Sequence, residues 1–107
     1  MAAVFRISSS LRAIGISKSG SLWAAGREVA AVGVDNMSWD LPGEIDPETG
    51  ASLFAHAYLL AQKGVYIMEN LNLERLAADR RYTFAFLAVP LKLRGATGSP
   101  IRPLALV

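Results

Sequence analysis

The chain contains no cysteine. Disulfides, thiolate nucleophiles and cysteine-ligated zinc are therefore excluded, and the redox compartment is not readable from thiols. It contains one histidine, His56, so these residues alone build no histidine cluster. No apolar run approaches the roughly 18–20 residues that span a bilayer. Charge of a single sign is also scarce, since 11 basic residues face 9 acidic ones for a net charge of +2. The basic residues are scattered, only Arg80 and Arg81 are adjacent, and no aromatic interleaving marks a nucleic-acid stripe. Neither nucleic acid nor a membrane is an expected partner, and a cytoplasmic setting is the default expectation. Acidic residues are missing before Glu28, where Arg6, Arg12 and Ser8-Ser9-Ser10 sit without a secretory apolar stretch. Residues 1–20 read as a loosely ordered leader.

What is there suits one small domain. With 107 residues, 52% of them hydrophobic, the chain is long enough to bury a core and too short for two ordinary domains. Ser21 to Arg27 reads as a short helix weakened by Gly26. Val29 to Val34 is a Val-rich apolar run, expected to form a strand buried on both faces and ending at Asp35. Asp35 there reads equally as a crevice carboxylate or as a turn cap with Asn36. A polar loop follows from Ser38 to Gly50. Asp46-Pro47 reads as an N-cap and first helical residue, opening a helix that runs to Lys63 and stops at Gly64. Its expected apolar stripe is Leu53, Ala57, Leu60 and Ala61, with His56 on or beside the buried face.

Val65 to Met68 reads as a second strand ending at Glu69, and Leu73 to Ala78 as a short helix capped by Asn72. Tyr82 to Val89 is apolar on both faces and is expected to be a central strand. A turn over Gly95 to Pro100 leads to a last strand within Ile101–Leu106, where Pro103 fits only an edge or bulge. The expected fold is α/β: a mixed sheet of about four strands with one main helix and one or two short helices.

Few side chains suggest chemistry. A lone histidine on an apolar helical face is more often a packed core residue than a ligand, and Glu69 at a strand end suits a cap or salt bridge as well as a site. Asp40, Glu44, Asp46 and Glu48 lack the alternating spacing of a calcium loop, so a solvated loop is the simpler reading. The Gly95–Pro100 segment lacks the Lys-Ser/Thr ending of a phosphate loop and precedes a strand, which argues against nucleotide binding.

Taken in order, several segments resemble the C-terminal half of cyclase-family proteins, the metal-dependent hydrolases that include bacterial kynurenine formamidases. They are Val32-Gly33-Val34-Asp35, His56-Ala57-Tyr58-Leu59-Leu60, Gly64 to Leu71, and Leu91 to Arg102. The opening Gly15-Ile16-Ser17 resembles a segment just upstream. The resemblance implies a partial swivelling β/β/α domain over residues 21–107. It also implies hydrolysis of amide bonds, such as those of N-formylkynurenine in tryptophan catabolism or of cyclic amides. A zinc or manganese ion would be held in part by His56 and Glu69, matched through their neighbours Leu59-Leu60 and Asn70-Leu71. Trp39 and Leu41 are candidates to touch an apolar substrate, with simple packing the alternative for Trp39.

The family's main ligand motif, His-x-x-x-His-x-Asp, has no counterpart among these residues. A catalytic zinc takes about three protein ligands plus water, so no complete catalytic set is expected here and the chain alone is expected to be inactive. The alternative is a non-catalytic α/β interaction subunit that pairs with a chain supplying the motif. Strands apolar on both faces and left uncovered favour self-association. Oligomers or poor solubility are expected on size-exclusion chromatography with light scattering. A clean monomer at high concentration that unfolds cooperatively contradicts that expectation.

Overall fold

The computed structural model describes residues 3–6 and 15–107. They form two compact units, one ending at Leu73 and one beginning at Glu74. The first holds a three-stranded parallel sheet in the order β1 (Ala3–Arg6), β2 (Ala31–Val34), β3 (Tyr66–Met68). Ala31 pairs with Ala3 on one side and with Tyr66 on the other, so β2 is the central strand. This is the role expected of the Val-rich run, and Val32 and Val34 are fully buried. Burial of each such side chain is worth about 1.5–3 kcal/mol.

The leader expectation covered residues 1–20. Of these, Ala3–Arg6 form β1, residues 1–2 and 7–14 lie outside the described residues, and Lys18 opens helix α1 (Lys18–Ala25). Ser17 is the N-cap, its side chain accepting the Gly20 amide. Gly26 is not inside the helix but caps its C-terminus, with its amide on Leu22 O.

The expected long helix from Pro47 is corrected. Pro47 to Thr49 form a turn whose Asp46 carboxylate accepts the Thr49 amide at 2.9 Å and the Thr49 hydroxyl at 2.6 Å. The Gly50 amide closes the turn on Asp46 O. An Asp-Pro pair suits an Asx turn as well as a helix start, and here the turn wins. Helical structure begins at Phe54 and continues as a π-helix over His56–Gln62. The Ala57 amide still bonds Leu53 O, four residues back, whereas the Lys63 amide bonds Tyr58 O, five back. This widening breaks the 3.6-residue period on which the stripe expectation rested. Leu53, Ala57, Leu60 and Ala61 are exposed, and Ala55 and Leu59 are the fully buried pair. Gly64 does end the helix, at φ 67°, with the Val65 amide on Leu59 O.

The core of this unit gathers Ile16, Ala24, Val29, Val32, Val34, Trp39, Ala55, Leu59 and Val65. Outside it, Lys18 lies over the Phe54 ring, Phe54 stacks on Tyr58, and Lys63 lies over Tyr58.

In the second unit, helix α2 (Glu74–Ala78) precedes an antiparallel pair, β4 (Ala85–Leu87) with β5 (Leu104–Leu106). Among the described residues the expected single mixed sheet of about four strands is thereby corrected to a three-stranded parallel sheet and a two-stranded antiparallel one. The segment expected as a central strand supplies only the short β4, which pairs on one side, and Tyr82 and Val89 are exposed. Apolar content on both faces does not fix pairing partners, which a strand must find elsewhere in the chain. Pro103 stands just before β5, as its missing N–H requires.

Lys18 ties α1 to the 46–50 turn. Its Nζ lies 2.6 Å from Asp46 Oδ1 and 2.5 Å from Glu48 Oε2. The hydrogen bond from Lys18, helped by Thr49, holds the Asp46 carboxyl below its ordinary 3.8. The same pairing with Asp46, then Glu48, raises the Lys18 ammonium above its ordinary 10.5. The depressed carboxyl stabilises the fold above about pH 4, its value when unfolded, and that contribution is lost as pH falls through the lower folded value. The raised ammonium contributes below about pH 10.4 and is lost as pH rises through its higher folded value. Asp46→Asn is therefore expected to lower the thermal midpoint at neutral pH, with the gap to the unaltered chain closing in acid. Melting curves collected against pH check this, and a gap that persists unchanged at low pH contradicts it.

Candidate functional site

His56 and Glu69 stand thirteen positions apart in sequence, and the fold brings their side chains together. His56 Nε2 lies 3.6 Å from Glu69 Oε1. Both side chains are partly exposed, 33% for the imidazole and 27% for the carboxylate. His56 opens the π-helix and Glu69 follows β3. The exit of β3 is pinned beside the exit of β2 by two amides, Asn70 to Asn36 O at 2.8 Å and Leu71 to Val34 O at 3.0 Å. Asn70 takes a left-handed φ of 56° there. Asparagine tolerates that region better than most residues.

Two consecutive loop residues hold this pair. The Trp39 amide donates to Glu69 Oε1 at 2.8 Å. The Asp40 carboxylate meets His56 on its other ring nitrogen, with Oδ2 2.6 Å from Nδ1. Asp40 also accepts the Ala55 amide at 2.6 Å and the His56 amide at 3.2 Å. Its side chain is only 5% exposed. The reading of Asp40 as part of a solvated acidic loop is thus corrected: it is a buried acceptor for the opening turn of the helix. Buried carboxylates persist only with such donors, and a sequence in which Asp40, Glu44, Asp46 and Glu48 look alike does not reveal which one has them.

Trp39 is a core residue, and its indole Nε1 donates to Ser21 Oγ at 3.0 Å. Of the two readings weighed for it, packing is the one observed. Leu41, with Ile16, Lys18, Asp40, Ile45 and Phe54, lines a cavity of about 260 Å³ on the Asp40 side.

Behind the loop, the Ile16 amide donates to Trp39 O, and Ile16 forms a parallel bridge with Asp40. Gly15 makes this approach possible. Its φ is 129°, and a Cβ placed there would stand 2.4 Å from Asp40 O and 2.8 Å from Leu41 N. Among the described residues, no group of three or more His, Asp or Glu side chains is arranged to hold a metal ion. None of the described helices is long and apolar enough to cross a membrane.

The chain is similar to Cyclase-like protein 3 of Oryza sativa subsp. japonica. The two are 29% identical over 90 residues, which is 83% of this chain. The chain spans 30% of the length of that relative. No protein-family model matches the sequence, and no solved structure matches it.

Gly15→Ala is expected to destabilise the fold by about 2–4 kcal/mol, since a strained φ adds to a backbone clash. It is also expected to disturb the imidazole signals of His56 by moving Asp40. Thermal denaturation and histidine NMR spectra read both effects, and an unchanged melt with unchanged imidazole signals contradicts the close packing described.

Proposed function

We propose that this chain is the C-terminal portion of a cyclase-family, metal-dependent hydrolase of amide bonds, with His56 and Glu69 as two of its metal ligands. The observation that carries the reading is the separation of 3.6 Å between His56 Nε2 and Glu69 Oε1. Ligand atoms about 2.0–2.2 Å from one zinc ion, at a tetrahedral angle, stand roughly 3.4 Å apart. The observed separation is close to that value and longer than a direct hydrogen bond, which supports the reading. The similarity to a cyclase-like protein over most of the chain supports the same reading.

The donor set fits a zinc or manganese ion in part. An imidazole and a carboxylate are ligand types common to both metals. Asp40 meets the imidazole at Nδ1, whereas Glu69 faces Nε2, so Asp40 is not proposed as a third ligand of that pair. In this reading the further donors would be those of a His-x-x-x-His-x-Asp motif supplied by another polypeptide. When bound, a divalent metal supplies Lewis acidity, which polarises an amide carbonyl and lowers the pKa of water. His56 and Glu69 would hold one side of that centre. A small formamide such as N-formylkynurenine, or a cyclic amide, is the proposed substrate class.

By itself the chain is expected to show no turnover of N-formylkynurenine or cyclic amides with added Zn²⁺ or Mn²⁺. Mixed with, or joined to, a polypeptide carrying His-x-x-x-His-x-Asp, it is expected to gain metal-dependent hydrolysis. His56→Ala should then reduce hydrolysis by more than the roughly 10–100-fold that losing an outer partner of a ligand costs. Robust turnover by the chain alone would refute the incomplete site, and a complemented enzyme indifferent to His56→Ala would refute the ligand assignment.

A further inference from the structure

We propose that Asp40 is the positioning residue of this site, its Oδ2 accepting the Nδ1 proton of His56 and leaving the Nε2 lone pair directed toward Glu69. What that lone pair then does rests on the metal reading above, whereas the assignment of the proton to Nδ1 stands on this chain's own geometry.

The direction of control follows from what holds Asp40. An ionised carboxylate only accepts hydrogen bonds. Oδ1 takes the Ala55 amide at 2.6 Å, and Oδ2 takes the His56 amide at 3.2 Å. Those two backbone donors belong to the opening turn of the helix and fix the carboxylate without help from the imidazole. The ring then lies 2.6 Å from an acceptor that cannot turn away. A neutral imidazole carries one proton, and only the tautomer with that proton on Nδ1 satisfies this contact. Nε2 is left as the free acceptor 3.6 Å from Glu69 Oε1. Metal-ligating histidines are commonly oriented in this way, with the ring nitrogen away from the metal donating to a carboxylate.

The opposing ligand is set by the adjacent residue. The Trp39 amide holds Glu69 Oε1, and Trp39 is itself anchored through its indole to Ser21 and through its carbonyl to the Ile16 amide. One dipeptide thus orients both members of the pair, the imidazole by a side chain and the carboxylate by the main chain.

The test uses the full chain labelled with ¹⁵N in its imidazole, where a single histidine gives one unambiguous set of signals. Long-range ¹H–¹⁵N correlation spectra in alkaline buffer without metal are expected to show Nδ1 protonated and Nε2 bare. In Asp40→Asn, an amide NH₂ in place of Oδ2 removes the acceptor, and the population is expected to move to the Nε2–H tautomer. A role limited to capping the helix would change stability and leave the tautomer alone. The assignment is overturned if the unaltered chain carries its proton on Nε2, or if a folded Asp40→Asn keeps it on Nδ1. Should Asp40→Asn fail to fold, the spectrum of the unaltered chain still decides. Zn²⁺ titration followed on the same signals is expected to be weakened about 10–100-fold by Asp40→Asn. If the complemented enzyme is indifferent to His56→Ala while the unaltered chain keeps its Nδ1 proton, the metal reading fails and the assignment of Asp40 stands.

Discussion

A charged carboxylate removed from water must be surrounded by hydrogen-bond donors, and in the first unit that requirement organises the chain around Asp40. Its two backbone N–H donors and the imidazole it meets belong to the consecutive residues Ala55 and His56 at the start of one helix. The loop that carries it is therefore not a passive connection between β2 and the helix. It caps the helix from a distance, faces the imidazole and, through the preceding amide, restrains Glu69. Leaving any of these groups buried without its partner would cost about 1–3 kcal/mol, more for the charge itself. The arrangement is accordingly hard to dismantle piece by piece.

The sheet supplies the frame. Parallel pairing of β2 with both neighbours places the ends of β2 and β3 side by side. Open parallel sheets characteristically place their ligand crevices beyond the carboxyl ends of their strands. Glu69 comes just after β3, and the 35–40 loop leaves β2 at the same edge. The helix between them carries His56 in its first turn, and the chain then returns to the start of β2, where the Tyr66 amide bonds Ala30 O. Position in the fold, not proximity in sequence, joins the imidazole to the carboxylate.

Much of this was legible beforehand, for identifiable reasons. The run Val29–Val34 announced a central strand because a strand covered on both sides needs apolar residues at every position. Gly64 announced a helix end because the left-handed region is cheapest for glycine. His56 and Glu69 were singled out only through resemblance, since nothing in their spacing fixes a distance. Asp40 was missed because acidity alone does not distinguish a buried acceptor from its solvated neighbours. The burial of Ala55 and Leu59 in place of Leu53 and Leu60 was missed because a widened helix has no clear signature in a pattern read at 3.6 residues per turn. Asp46 was misread because one side-chain geometry serves both a turn and a helix start.

The contacts around His56 join residues far apart along the backbone. Asp40 reaches forward 16 positions to His56, Trp39 reaches 30 to Glu69, and the indole reaches back 18 to Ser21. Closures of that length must overcome chain entropy before any of them returns stabilisation. The constellation therefore cannot exist as an island in a partly folded chain. It assembles when the strands, the loop and the helix have all docked, so a competent imidazole–carboxylate pair is itself a marker that the whole first unit has reached its native state.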